Sequence, residues 1–211
     1  MSQTAYGLLQ TPLPGVISDS AWAKDVRSAA NLDPTWNIPF GVFVARDTAD
    51  GVGAATALLD EARMPGASTD EILGVVVMDH THDNGPNGTL VQSGVVGTSP
   101  GPGLINSAVF GTMRKGRINV LVETDVAVVV GKPVFVRYSQ NGAGKLQLGA
   151  ARMDADTAHA VQVNARFVGP AKTVPATTGG PGNVGASAGA AQASQLVAEI
   201  ELDMSFSGTI P

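Results

Sequence analysis

Leu196-Val197-Ala198-Glu199-Ile200-Glu201-Leu202-Asp203-Met204-Ser205-Phe206-Ser207 is the stretch that decides the fold. Leu196, Ala198, Ile200, Leu202, Met204 and Phe206 fall on one face of an extended chain. Val197, Glu199, Glu201, Asp203, Ser205 and Ser207 fall on the other. Successive side chains of a strand point to opposite faces, so this period of two predicts a long strand with one apolar and one largely polar side. Such a strand belongs in an antiparallel sheet wetted on one face.

The same pattern recurs upstream. Val161, Val163, Ala165 and Phe167 alternate with Gln162, Asn164 and Arg166. Val134, Val136 and Tyr138 oppose Phe135 and Arg137, after Gly131-Lys132-Pro133 ends the apolar run Val126 to Val130. Ile118, Val120 and Val122 alternate with Asn119, Leu121 and Glu123. Asn141-Gly142 and Gly85-Pro86-Asn87-Gly88 read as turns. Ile72 to Met78 reads as a buried strand, and Phe40, Val42 and Val44 share the face of another. Residues 53–64 carry a short helical pattern, stopped by Pro65-Gly66. Short strands at regular spacing without βαβ units predict an all-β fold, an antiparallel sandwich or barrel.

Two segments stand outside this pattern. Residues 1–39 contain Pro12, Pro14, Pro34 and Pro39, which disfavour long helices and central strands, and read as an extended N-terminal arm. Its apolar anchors Tyr6, Leu8, Leu9, Trp22 and Trp36 pack either on the parent domain or on a neighbouring subunit. Residues 40–211 form the β-rich core, interrupted at roughly 171–195 by an almost uncharged Gly/Ala/Ser/Thr/Pro-rich excursion, read as a flexible loop.

Charged residues are only 15% of the 211, against roughly a quarter in an average domain, which fits a surface partly turned toward protein. A net charge of −5 argues against nucleic-acid binding. Cysteine is absent, removing disulfides and thiolate metal sites. No basic region followed by an apolar stretch marks a signal peptide, and the apolar run at 72–78 is far short of the roughly 20 residues of a membrane helix. The reading is a soluble protein, made in the cytoplasm and not secreted by the usual route, with no membrane partner.

Candidate chemistry thins out on inspection. His80 and His82 lie on one face of a strand, as metal ligands would, and resemble the first half of a cupin metal motif. The glutamate that should follow is replaced by Asn84-Gly85-Pro86-Asn87-Gly88, and the second cupin motif is missing. Gly97-Thr98-Ser99-Pro100-Gly101 and Gly185-Ala186-Ser187-Ala188-Gly189 match a nucleophile elbow without the strand and helix it needs. Gly142-Ala143-Gly144-Lys145 lacks the upstream glycine and following hydroxyl of a phosphate loop. Arg114, Lys115 and Arg117 form a basic cluster that the Glu199, Glu201, Asp203 ladder can neutralise across strands. No catalytic residue, cofactor site or metal site is assigned.

One resemblance covers about half the chain. Ile72-Leu73-Gly74-Val75-Val76-Val77 with Asp79-His80-Thr81, then Arg114-Lys115-Gly116-Arg117-Ile118-Asn119-Val120, then Val128 to Tyr138 with its Gly131-Lys132-Pro133-Val134-Phe135-Val136-Arg137-Tyr138, resemble the structural cement, or capsid decoration, proteins of tailed bacteriophages. Ala151-Arg152 and Ala165-Arg166-Phe167 occupy places where such proteins return to a strand. The resemblance implies a virion protein on the outer surface of an icosahedral head. Its partners would be the major capsid protein and itself, as homodimer or homotrimer, with no cofactor. The alternatives are another virion module, such as a tail or head fibre, and a cupin-like metal enzyme using His80 and His82. Carbohydrate binding is disfavoured by an aromatic content of 5%.

Overall fold

The computed structural model describes residues 14–18, 25–47, 60–78, 104, 108–123, 127–141, 148–174 and 195–204. Among them every regular element is a strand: β1 (Asp25–Asn31), β2 (Phe43–Arg46), β3 (Asp60–Arg63), β4 (Ile72–Val76), β5 (Val109–Val122), β6 (Pro133–Arg137), β7 (Ala151–Arg152), β8 (Ala160–Phe167), β9 (Lys172–Val174) and β10 (Gln195–Asp203).

The architecture turns on β5, which is 14 residues long. Its C-terminal half joins the circuit β5–β7–β6–β8–β10, and β10 pairs back onto β5 to close a five-stranded barrel. Its N-terminal half joins β1, β3, β2 and β4 in a second closed circuit. Within the two circuits closure removes the open edges that would otherwise invite pairing with other chains, while β9 pairs, among the described residues, with β10 alone. Most ladders are antiparallel, while β1–β3 and β5–β7 are parallel.

The period-two faces land where the alternation puts them. Ile118, Val120, Val122, Val134, Val136, Val163, Phe167, Ala198, Ile200 and Leu202 form one buried cluster, with Val161, Ala165, Leu196 and Met204 packed against it. Phe40, Val42 and Val44 join Leu73, Val76, Phe110 and Leu121 in a second. Both faces of the C-terminal half of β5 are therefore buried: Ile118, Val120 and Val122 enter the barrel and Leu121 enters the other cluster. Val197, on the polar face of β10, is also fully buried in that second cluster.

The helical pattern at 53–64 does not survive where the structure describes it. Asp60–Arg63 is β3, paired with β1 through Ala29, Ala30 and Asn31 and with β2 through Ala45 and Arg46. Backbone pairing on both edges outweighs a local helical preference of a few tenths of a kcal/mol per residue. The apolar run before Gly131 also behaves differently from a core strand. Val128 packs on the barrel core, but Val129 and Val130 are exposed at a turn.

Gly74 shows how tightly β4 and β5 pack within the second circuit. Its φ is +151°, and a Cβ there would lie 2.3 Å from the Met113 carbonyl oxygen on β5. Only glycine lets β4 approach β5 this closely.

Candidate functional site

Among the sequence-predicted arm anchors, Tyr6, Leu8, Leu9 and Trp22 lie outside the described residues. Trp36 is half-buried against the second apolar cluster of its own domain. Its backbone is held by a small polar knot. Asp33 Oδ1 accepts the amides of Thr35 and Trp36, each at 2.9 Å, while Oδ2 accepts that of Met64 at 3.0 Å. Asn31 in turn donates to the carbonyl of Leu104 at 2.8 Å. Of the segment read as an arm, residues 25–31 are β1, and the short stretch around Gly15 is stitched to the rest. The Gly15 amide donates to the Asn119 carbonyl at 2.8 Å, and its own carbonyl accepts from Met78 at 2.9 Å.

A charged face runs over β5, β10 and β8. Register sets Arg117 opposite Glu201 and Lys115 opposite Asp203. The pairs close at 3.7 Å and 3.6 Å, and Arg166 adds a second contact to Glu201 at 2.8 Å. The basic cluster and the acidic ladder thus neutralise each other across the sheet, as cross-strand pairs do. Arg114 differs from its neighbours: it is buried, with a guanidinium nitrogen 3.5 Å from the Met204 carbonyl.

The strongest electrostatic feature was not read from the sequence. Glu123, Arg137 and Arg152 are all nearly removed from water. By alternation they point away from the barrel interior, since Val122, Val136 and Ala151 point into it. Arg137 grips Glu123 through Nε and a terminal nitrogen, and Arg152 grips the same carboxylate. Arg137 also donates to Asp156, which accepts from Asn141 Nδ2 at 2.8 Å, while Arg152 reaches Asp154 at 2.7 Å. Hydrogen bonding from Arg137, then from Asn141, holds the Asp156 carboxyl well below the usual carboxylate range. The only sequence signal was a charged residue directly continuing each apolar strand: Val122-Glu123, Val136-Arg137, Ala151-Arg152.

This cluster locks an unusual turn. Asp156, Thr157 and Ala158 all have left-handed backbone, with φ of 43°, 54° and 70°. Non-glycine residues avoid that region at a cost of roughly 1–2 kcal/mol each. Asp156 ties the turn to both arginines, and the Tyr138 hydroxyl donates to the Ala158 carbonyl.

Among the described residues no group of three His, Cys, Asp or Glu side chains is placed to hold a metal ion. His80 and His82, both Gly-x-Ser-x-Gly stretches and Gly142 to Lys145 lie outside the described residues. His159 Nδ1 sits 2.8 Å from the Ser139 hydroxyl.

A family model described as structural cement protein (E217 gp24/Pam3 gp6) matches residues 2–198. No curated protein matches the chain. A chain in the capsid of Myoviridae phage XM1 has the same fold, at a TM-score of 0.52 and 15% identity, covering 90% of this chain and 89% of that one. The residues that carried the resemblance now have places: Ile72 to Val76 is β4, Arg114 to Val120 lies in β5, and Arg137 and Arg152 anchor the buried charge cluster. Matched across nearly its whole length, the chain belongs to the phage structural cement proteins, and its role is cement or decoration in the capsid of the virion.

Proposed function

We propose that this cement protein sits on the outer surface of the icosahedral head, binds the major capsid protein, and ties neighbouring subunits together as a homodimer or homotrimer. The observation that carries the reading is the family match, which begins at residue 2 and so takes in the segment bearing Tyr6, Leu8, Leu9, Trp22 and Trp36. A charged fraction of 15% fits a protein with part of its surface against another. Many equivalent lattice sites supply avidity without any one strong contact. The family is a structural one, and the reading includes no catalysis and no cofactor.

Residues Asp25–Asn31 are paired into the sheet, so a truncation that tests the arm must stop before them. Purified full-length protein should co-sediment with heads assembled without it, saturating at a fixed ratio to the major capsid protein. Removal of residues 1–13 should leave a folded core that binds heads weakly, and Trp36→Ala should weaken binding further. A full-length protein that ignores heads and associates with tails would replace this reading with a tail or fibre role. Normal binding by the truncated protein would remove the arm from it.

A further inference from the structure

Among the described residues the exposed large apolar side chains are Val26, Val109, Val129 and Val130, at 43%, 45%, 48% and 55%. The last two are consecutive and occupy the turn between β5 and β6. Turns that face water are ordinarily built from polar residues and glycine. Gly131, with φ of +85° and open space around it, already supplies the conformation the turn needs, so folding does not call for valines beside it. Val128 meets the barrel core, which accounts for one apolar residue of the three and not for the other two.

The turn is held from several sides. The Gly131 amide donates to the Phe167 carbonyl at 2.8 Å, and the Lys132 amide to the Val129 carbonyl at 3.3 Å. The Val129 amide lies 2.9 Å from the Met153 sulfur. Met153 directly follows Arg152, three residues before the left-handed turn that begins at Asp156. Arg152, tied to Glu123, thus fixes the chain directly before the sulfur that the Val129 amide meets. A preformed apolar tip loses little conformational freedom on binding, which is what makes such tips effective anchors. Lys132 is exposed two residues after Val130 and puts a positive charge beside the tip.

We propose that the Val129–Val130 turn is a second, rigid capsid contact, inserting its two valines into an apolar recess with an acidic rim on a capsid subunit. The inference rests on the cement reading above and adds to it a contact within the folded core, separate from the arm. The partner follows from the capsid role and from charge complementarity to Lys132.

Head co-sedimentation tests it with the double variant Val129→Asp/Val130→Asp and with Lys132→Glu, each checked for an unchanged thermal unfolding midpoint. The double variant should bind about tenfold or more weakly, and Lys132→Glu should bind more weakly at low salt. Because the chain has no cysteine, Val130→Cys carries a photo-crosslinker at a single site, as does Ser68→Cys on the other circuit. Illumination on heads should join Val130→Cys, and not Ser68→Cys, to a capsid protein. Wild-type affinity in the double variant, with wild type itself binding, overturns the inference and leaves the cement reading intact. A crosslink only to a second copy of this chain also overturns it, by assigning the turn to self-association. Failure of the wild type to bind heads removes both.

Discussion

Arg137 reaches across β7 to Glu123, a terminal guanidinium nitrogen lying 3.0 Å from Oε2 in a pair almost entirely removed from water. Arg152 meets the same carboxylate from β7 itself. Three strands of the barrel are thus tied on their outer face by one carboxylate and two guanidinium groups. Such an arrangement is costly to break one member at a time, because the remaining charges stay buried.

Glu123→Leu should therefore lower stability by about 3–5 kcal/mol, leaving two buried arginines short of countercharge. Adding Arg137→Met to it should recover part of the loss, since Arg152 keeps Asp154 and Asp156. Urea unfolding measures both. A Glu123→Leu loss below about 1 kcal/mol, the range of an exposed pair, means the cluster is solvated and the argument is wrong.

Acid should act on the same cluster through Asp156. Its carboxyl titrates lower in the folded protein than the ordinary 3.8, so the folded state favours the ionised form. That stabilisation is fully present above pH 3.8 and fades as pH falls below it toward the folded value. The stability gap between wild type and Asp156→Asn should be constant above that pH and shrink below it. A gap that widens on acidification would contradict the assignment.

Ala158 should respond to glycine in the opposite sense from an ordinary site. Its φ is 70°, where the alanine Cβ is strained, while Ala155 two residues before Thr157 is not among the left-handed positions. Ala158→Gly should be more stable than Ala155→Gly by about 1 kcal/mol, because only the first relieves strain in exchange for unfolded-state entropy. Equal melting temperatures for the two variants would show that the turn stores no strain at Ala158.

Arg117→Glu sets a carboxylate opposite Glu201, whose partner it now is at 3.7 Å. Both side chains are partly exposed, so the expected loss is modest, about 0.5–1 kcal/mol. Glu201→Arg in the same chain should restore most of it, although Arg166 also contacts Glu201 and will be repelled. A double variant no better than the single one would show that the cross-strand pair contributes nothing.

Much of the barrel is legible in the sequence, because a strand's alternation is written directly in its residues. Leu196 to Met204 and Val161 to Phe167 point inward where period two puts them, and Arg117 meets the acidic ladder it was paired with. Tertiary structure alone decided the rest. Asp60–Arg63 became a strand because β1 and β2 offered it backbone partners, which no local pattern encodes. Glu123, Arg137, Arg152 and Asp156 are scattered through the sequence and meet only when β5, β6 and β7 lie side by side. Alternation tells which face a residue takes and is silent on what covers that face. Leu121 and Val197 were buried by a second circuit of strands, and Val129 and Val130 were left uncovered at a turn, for the same reason: burial depends on contacts between segments far apart in the chain.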